Sequence, residues 1–255
     1  MLFLFCAQGA FCLQQQNESS ALQFACKYSL VTNTLGYCGK EKAFLSFQDF
    51  LQNPSQEKIQ EIKTLLDSFF GLRAYLDLIA RANNKNTFDF QVLEAYWLGN
   101  KLLENVSHEE IKETILSLQK FGLPEKIALQ KAASLPFGTV PHHSLHVLHV
   151  NFVTRKLKPL VKNLSECLVS WAEVKGIEKK SGKIKAKAPE LKILNGNFVL
   201  QEKNKLLENQ FSLPPANGDF VSVHWSNAIE ILEKKQLKSL KKATMKNIEL
   251  INMKK

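Results

Sequence analysis

The sequence predicts an α+β fold: an N-terminal all-α helical domain followed by a small antiparallel β-barrel with a C-terminal helix. Three observations carry that expectation. Apolar residues recur at three- and four-residue spacing before about residue 165 and at two-residue spacing after it. Helix-capping signals punctuate the first part, whereas Ser-Gly and Asn-Gly pairs punctuate the second. A chain of 255 residues that is 45% hydrophobic can bury one large core or two modest ones. The switch predicts a helical domain over residues 19–165 and a barrel with its helix over 166–255.

The apolar start, residues 1–12, has no basic residue and is too short to span a bilayer. A poor signal peptide and an upstream start codon both fit it, so membership of the first 17 residues in the mature protein stays open. Helices are expected over 41–52, 72–82, 89–104 and 124–134. Another follows Asn53 and Pro54, with Ile59, Ile62, Leu65, Leu66 and Phe69 on one stripe. Ser107 and Glu110 form a capping box ahead of Ile111, Ile115 and Leu118, and Gly122 closes that helix before Pro124 opens the next.

Beyond Cys167, Ser181-Gly182 separates alternating runs at 177–180 and 183–187, and Asn195-Gly196 separates 191–194 from 198–201. Asn217-Gly218 precedes a further run at 220–225. Asn-Gly suits a type I′ turn, whose two central residues need positive φ, so these runs read as hairpins of a small barrel or sandwich. A last amphipathic helix is expected from Asn227 to about Lys242, with Ile231, Leu232, Leu237 and Leu240 facing the barrel.

The formal charge of +10 lies essentially all after residue 155, where Lys and Arg outnumber Asp and Glu roughly two to one. A basic half admits a nucleic acid or an acidic protein as partner. Aromatic residues are not interleaved with the lysines of 179–187 or 234–246, so these read as solvated faces and nucleic acid is not expected. Five cysteines, an odd number with no CxxC pair, point to a reducing compartment and a cytoplasmic location. No segment reaches transmembrane length, and no membrane association is expected. The absence of GxxxxGK[ST], HExxH and GxSxG removes common NTPase, metalloprotease and hydrolase readings.

The stretch Pro141-His142-His143-Ser144-Leu145-His146-Val147-Leu148-His149 holds four of the six histidines. Pro141 suits a helix's first turn. On a helix His142, His146 and His149 share a face, and His143 points away. Neutral imidazole is a common ligand for iron, zinc and nickel and the usual acid/base near neutral pH. Equally, Leu145, Val147, Leu148 and Val150 could bury the stretch and leave its histidines bonded to backbone. His142, His143, His146 and His149 are therefore candidate metal ligands, together with Cys38, where Gly36 and Gly39 let the backbone turn tightly; a buried, unreactive Cys38 fits as well.

Cys167-Leu-Val-Ser-Trp-Ala-Glu-Val174 resembles the opening Cys-Leu-Ala-Ile-Pro-Gly-x-Val of the HypC family, small β-barrel chaperones of [NiFe]-hydrogenase maturation. Gly218-Asp-Phe-Val-Ser-Val-His-Trp-Ser-Asn-Ala-Ile-Glu-Ile-Leu232 is similar to that family's closing stretch, with His224 on its histidine. The two ends bracket residues 167–232, 66 residues in all. The resemblance implies that Cys167 holds iron as a thiolate with His224 nearby, and that the partner is a hydrogenase large subunit or a maturation scaffold protein. In this chain Cys167 is internal, with no free α-amino group beside it, and Trp171-Ala172 replaces Pro-Gly.

Residues 19–255 also resemble an uncharacterised bacterial family through Leu35-Gly-Tyr-Cys-Gly39, Glu94-Ala-Tyr-Trp-Leu-Gly-Asn100 and Pro141-His-His-Ser-Leu-His146. The reading that joins both resemblances is an accessory protein, a metallochaperone of hydrogenase maturation that handles iron or its ligands. A second makes the helical domain an iron-dependent enzyme acting on a small molecule, with His142, His146 and Cys38 or a Glu as ligands. A third is a basic nucleic-acid-binding protein.

Overall fold

The computed structural model describes residues 2–151 and 156–253, with side chains of the first helix from residue 17 onward. Helices α1 (Leu2–Thr34), α2 (Ala43–Gln52), α3 (Ile59–Asp67), α4 (Phe70–Ala82), α5 (Phe90–Trp97), α6 (His108–Ser117) and α7 (Glu125–Ala133) make up the first part. The short helix α8 (His143–Leu145) runs into a π turn, His146–Val150, and is followed by α9 (Val161–Cys167). Strands β1 (Ser170–Ile177), β2 (Ile184–Leu194), β3 (Asn197–Leu207), β4 (Phe220–His224) and β5 (Asn227–Ile231) then lead to α10 (Lys234–Asn252).

The expected helical stripes bury as their spacing dictates. Ala43, Phe47 and Phe50 are the buried residues of α2, and Ile59, Ile62 and Leu66 those of α3. The capping box of α6 has both halves: Ser107 Oγ accepts from the Glu110 N–H at 3.3 Å, and Glu110 Oε2 accepts from the Ser107 N–H at 2.9 Å. The single helix expected over 89–104 is divided. It stops at Trp97 because Gly99 turns back at φ +78°, and Asn100 then caps a 3₁₀ turn, Lys101–Asn105, by accepting from the Leu102 N–H at 3.0 Å. A side chain at Gly99 would also meet the Ser239 carbonyl oxygen at 3.1 Å, so α5 ends where α10 presses against it.

Helix α1 was outside the expected set. Its buried residues, among them Leu22, Phe24, Ala25, Cys26, Tyr28, Ser29 and Leu30, run round the whole circumference. A helix enclosed on all sides carries no apolar stripe for the eye to find.

The strands form one antiparallel sheet in the order β3-β2-β1-β4-β5. Asn195 (φ +51°) and Gly196 (φ +77°) make the expected type I′ turn between β2 and β3. The sheet is not closed into the expected barrel. Its two edges meet at a single parallel bridge, where Glu208 N–H donates to the Ser226 carbonyl and accepts, through its own carbonyl, from the Ala228 N–H, both at 2.9 Å.

The terminal helix expected from Asn227 is a correction. Residues 227–231 are strand β5, paired with β4, and the helix starts only at Lys234. Trp225 (φ +50°) and Ser226 (φ +56°) supply a type I′ turn without Asn or Gly, so nothing in the local sequence marks the hairpin.

The change of period near residue 165 is not a break in packing. The apolar core of α1 to α7 also takes in Val169, Ile229, Leu232, Leu240 and Ala243. A further cluster joins Val147 and Leu148 to Cys167, Leu191 and Ile248. Polar ties cross the same seam: Tyr28 Oη and Ser222 Oγ lie 2.7 Å apart, and Lys27 pairs with Glu230 at 2.8 Å. On α10, the buried Asn247 accepts from the Val140 N–H at 3.0 Å and donates to the Val140 carbonyl and to Ser144 Oγ at 3.1 and 2.9 Å.

Asn247→Ala would strand the Val140 N–H and carbonyl in the core, so a loss of about 2–4 kcal/mol is expected. Urea unfolding monitored by circular dichroism measures it. A loss below about 1 kcal/mol would show that water replaces the amide.

Candidate metal centre

The histidine-rich stretch does not form the regular helix its spacing suggests. His142 is extended (φ −88°, ψ 157°) and caps α8: its Nδ1 accepts from the Ser144 N–H at 3.1 Å, while Nε2–H donates to the Trp97 carbonyl at 3.2 Å. His149, on the π turn, donates from Nε2 to the Lys131 carbonyl at 2.7 Å. Neither ring lines the pocket described below. His143, expected to point away, lines it with His146, because residue 142 lies outside the helix and the π turn carries residue 149 off the stripe.

That pocket, about 70 Å³, gathers Cys38 from the loop after α1, His143 from α8, His146 from the π turn, Cys167 from the end of α9 and His224 from the end of β4. Phe69, Phe70, Leu72, Tyr96, Trp97 and Trp225 supply most of its walls. One ligand atom from each of His143, Cys167 and His224 lies within 4.8 Å of the other two. The Trp97 ring centre is 4.7 Å from that of His143 and 5.6 Å from that of His224, and the two imidazoles meet edge to face at 5.5 Å.

Backbone carbonyls fix the tautomers. A carbonyl only accepts, so the 3.0 Å contact from His224 Nδ1 to the Tyr28 carbonyl puts the proton on Nδ1 and the lone pair on Nε2. His224 is 1% exposed, and that Nε2 is buried without a hydrogen-bond partner. In the same way His143 Nε2–H donates to the Cys167 carbonyl at 2.8 Å, leaving Nδ1 to accept from the Tyr96 hydroxyl at 3.0 Å. Histidines that ligate metals are usually held by such an N–H bond to an oxygen.

Burial sets the charge state. It pushes His224 down to about 4 against the opposing pull of the Tyr28 and Cys167 carbonyls, and His146 likewise to about 4. His143 lies well below its ordinary value, through burial and then the neighbouring His224. Burial raises the Cys167 thiol well above its usual range and the Cys38 thiol to about 11, the latter opposed by Lys156. A neutral imidazole binds a cation without first losing a proton, although His143 Nδ1 would exchange the Tyr96 hydroxyl for it, and a cation is what would drive the proton from a buried thiol. Bonds of about 2.0–2.3 Å place tetrahedral ligands roughly 3.3–3.8 Å apart, so donors within 4.8 Å of one another need to close by at most about 1–1.5 Å.

Among the predicted residues, the structure thus brings together Cys38, His143, His146, Cys167 and His224, and leaves His142 and His149 outside. Sequence reasoning missed Tyr28, Tyr96 and Trp97, which orient or cover the imidazoles. The Ala-Tyr-Trp landmark at 95–97 was the available signal, but core packing explains aromatic residues on a helix equally well. The lysines form ion pairs along the sheet, with Lys183–Glu208, Lys187–Glu202 and Lys203–Glu190 at 2.5, 2.5 and 2.7 Å. On α10, Lys235, Lys238, Lys242 and Lys246 face Lys101 across a groove of about 430 Å³ whose lining holds no aromatic residue. Among the described residues no helix is long and apolar enough to cross a membrane.

The buried histidines make stability fall in acid. The unfolded chain takes up protons near pH 6.5, whereas His142, His146 and His224 stay neutral to about pH 4 when folded. Between those values the unfolded state binds more protons, so stability drops as pH falls, by at most about 1.4 kcal/mol per pH unit for each histidine. Urea unfolding at pH 7, 5.5 and 4.5 tests this; a flat profile would mean the rings are charged or open to water.

No curated protein and no solved structure matches this chain. Residues 16–255 match the family of unknown function DUF6390, and the chain belongs to that family.

Proposed function

We propose that the protein binds a transition-metal ion through His143, Cys167 and His224, and that the ion acts on a small molecule admitted to the adjoining pocket. The observation that carries this reading is the convergence of one donor atom each from α8, α9 and β4 to within 4.8 Å of one another, beside a His224 Nε2 that is buried without a hydrogen-bond partner. One thiolate with two imidazoles suits zinc, copper, nickel or iron. Iron is the ion implied by the HypC resemblance, and it is the one we propose. Three protein ligands leave at least one coordination position open, as catalytic sites require. The chain's own residues would orient the ring of His224 through Tyr28 and that of His143 through Cys167, and exclude water with Trp97 and Trp225.

A second reading, the metallochaperone of [NiFe]-hydrogenase maturation, draws support from one placement. Cys167 and His224 stand near the two ends of the HypC-like stretch, about 57 residues apart by their numbers, yet they meet in the pocket. The barrel of that resemblance finds a partial counterpart in the sheet edges touching at Glu208 and Asn227. Its partner would be a hydrogenase large subunit or a maturation scaffold protein. A carrier must release its ion, and Cys167 is only 7% exposed, so delivery would require the pocket to open. A resident ion needs no such motion.

Anaerobic purification with metal analysis and infrared spectroscopy separates the readings. A resident centre predicts about one ion per chain that survives dialysis against chelator, without CO or CN stretches. Those bands, or transfer of the ion to a hydrogenase large subunit, would favour the carrier. Cys167→Ser and His224→Ala should each lose the ion, because a hydroxyl is a poor substitute for a thiolate and Ala offers no ligand. His149→Ala should keep it. Equal metal content in wild type and Cys167→Ser would remove the site.

A further inference from the structure

The three donors leave His146 without a role, and its surroundings are unusual for a packing residue. The ring lies edge-on to Tyr75, with centres 5.5 Å apart, and lines the same pocket as the donors. Its Nδ1 is buried with no hydrogen-bond partner. The main chain gives way to seat it: a Cβ at Gly71 would stand 2.7 Å from His146 Cε1 and Nε2. Phenylalanine would fill this place without leaving a buried nitrogen unsatisfied, so packing alone does not account for an imidazole here.

We infer that His146 contacts the molecule bound at the ion's open position, and that this molecule is a neutral or singly charged species of about three to five heavy atoms. This rests on the metal reading above. The size follows from the 70 Å³ of the pocket: at roughly 10–15 Å³ per water it has room for about five to seven waters, and the ion would take up about two of those places. The charge limit follows from the walls, where Phe69, Phe70, Leu72, Trp97 and Trp225 offer no counter-charge. One end of the molecule would meet the ion and the other a neutral imidazole, which donates or accepts according to its tautomer. His146 also differs from the three donors in its ties: neither His146 nor Cys38 belongs to the group within 4.8 Å, whereas His143 and His224 each have an N–H held by a carbonyl.

The test uses the full chain loaded with cobalt(II), whose visible bands report coordination, and azide as the small probe. In the wild type azide should shift the bands, and benzimidazole, too large for the pocket, should not. His146→Phe should take up cobalt with an unchanged spectrum and bind azide about tenfold more weakly, the effect of one lost hydrogen bond. Gly71→Ala, which displaces the ring, should weaken azide similarly, and His146→Gln, which retains a polar end, should recover part of the affinity. Undiminished azide binding in His146→Phe would overturn the inference, as would loss of cobalt from both His146 variants while Gly71→Ala retains it, because His146 would then be a ligand. Failure of the wild type to take up cobalt at all would overturn the metal site itself, and this inference with it.

Discussion

A neutral imidazole in a protein core must find an acceptor for its one N–H, and here backbone carbonyls supply it. The Tyr28 carbonyl takes the proton of His224, the Cys167 carbonyl that of His143, and the Trp97 carbonyl that of His142. Each bond is also a tertiary link, since donor and acceptor lie 24 to 196 residues apart. Where the proton is held by a carbonyl, the remaining lone pair has a fixed direction. At His224 that lone pair is on a buried nitrogen with no hydrogen-bond partner, and the residue has one ligand atom within 4.8 Å of those of Cys167 and His143. Tautomer, ring orientation and packing of the two halves are therefore one constraint.

The same constraint explains why helices and sheet share a core. His224 ends β4, yet its acceptor is on α1, and Tyr28 extends a hydroxyl to Ser222 two residues earlier on the same strand. The Trp97 ring stacks on Tyr28 at 5.0 Å and covers both His143 and His224. Pulling the sheet from the helices would strand these buried polar groups and uncover the aromatic cluster together, at a cost well above that of any single contact.

The sequence was most readable where a feature is local. Apolar spacing marked α2, α3 and α4, Ser107 and Glu110 marked the start of α6, and Asn195-Gly196 marked the β2–β3 hairpin. It was least readable where tertiary context decides. Helix α1 has no polar face to break its pattern, and the Trp225-Ser226 turn lacks the residues that usually announce positive φ. Alternation at Asn227–Ile231 is too short to be told from an amphipathic helix. For the site, residue type pointed to the right neighbourhood, since Cys38, His143, His146, Cys167 and His224 all line one pocket. The choice among the four clustered histidines depended on the extended backbone at residue 142 and on the π turn, and no side-chain pattern encodes those departures from a regular helix. His142 and His143 each have both nitrogens bonded, and His142 drops out because its ring does not line the pocket whereas that of His143 does.

Coordination by one sulfur and two imidazoles is the central claim, and X-ray absorption at the metal edge measures it directly. For the anaerobically loaded protein, one sulfur scatterer near about 2.3 Å and two imidazole nitrogens near about 2.0–2.1 Å are predicted, with further light-atom scattering from the open position. A shell of oxygen alone, or a spectrum with sulfur that is unchanged in Cys167→Ser, would contradict it.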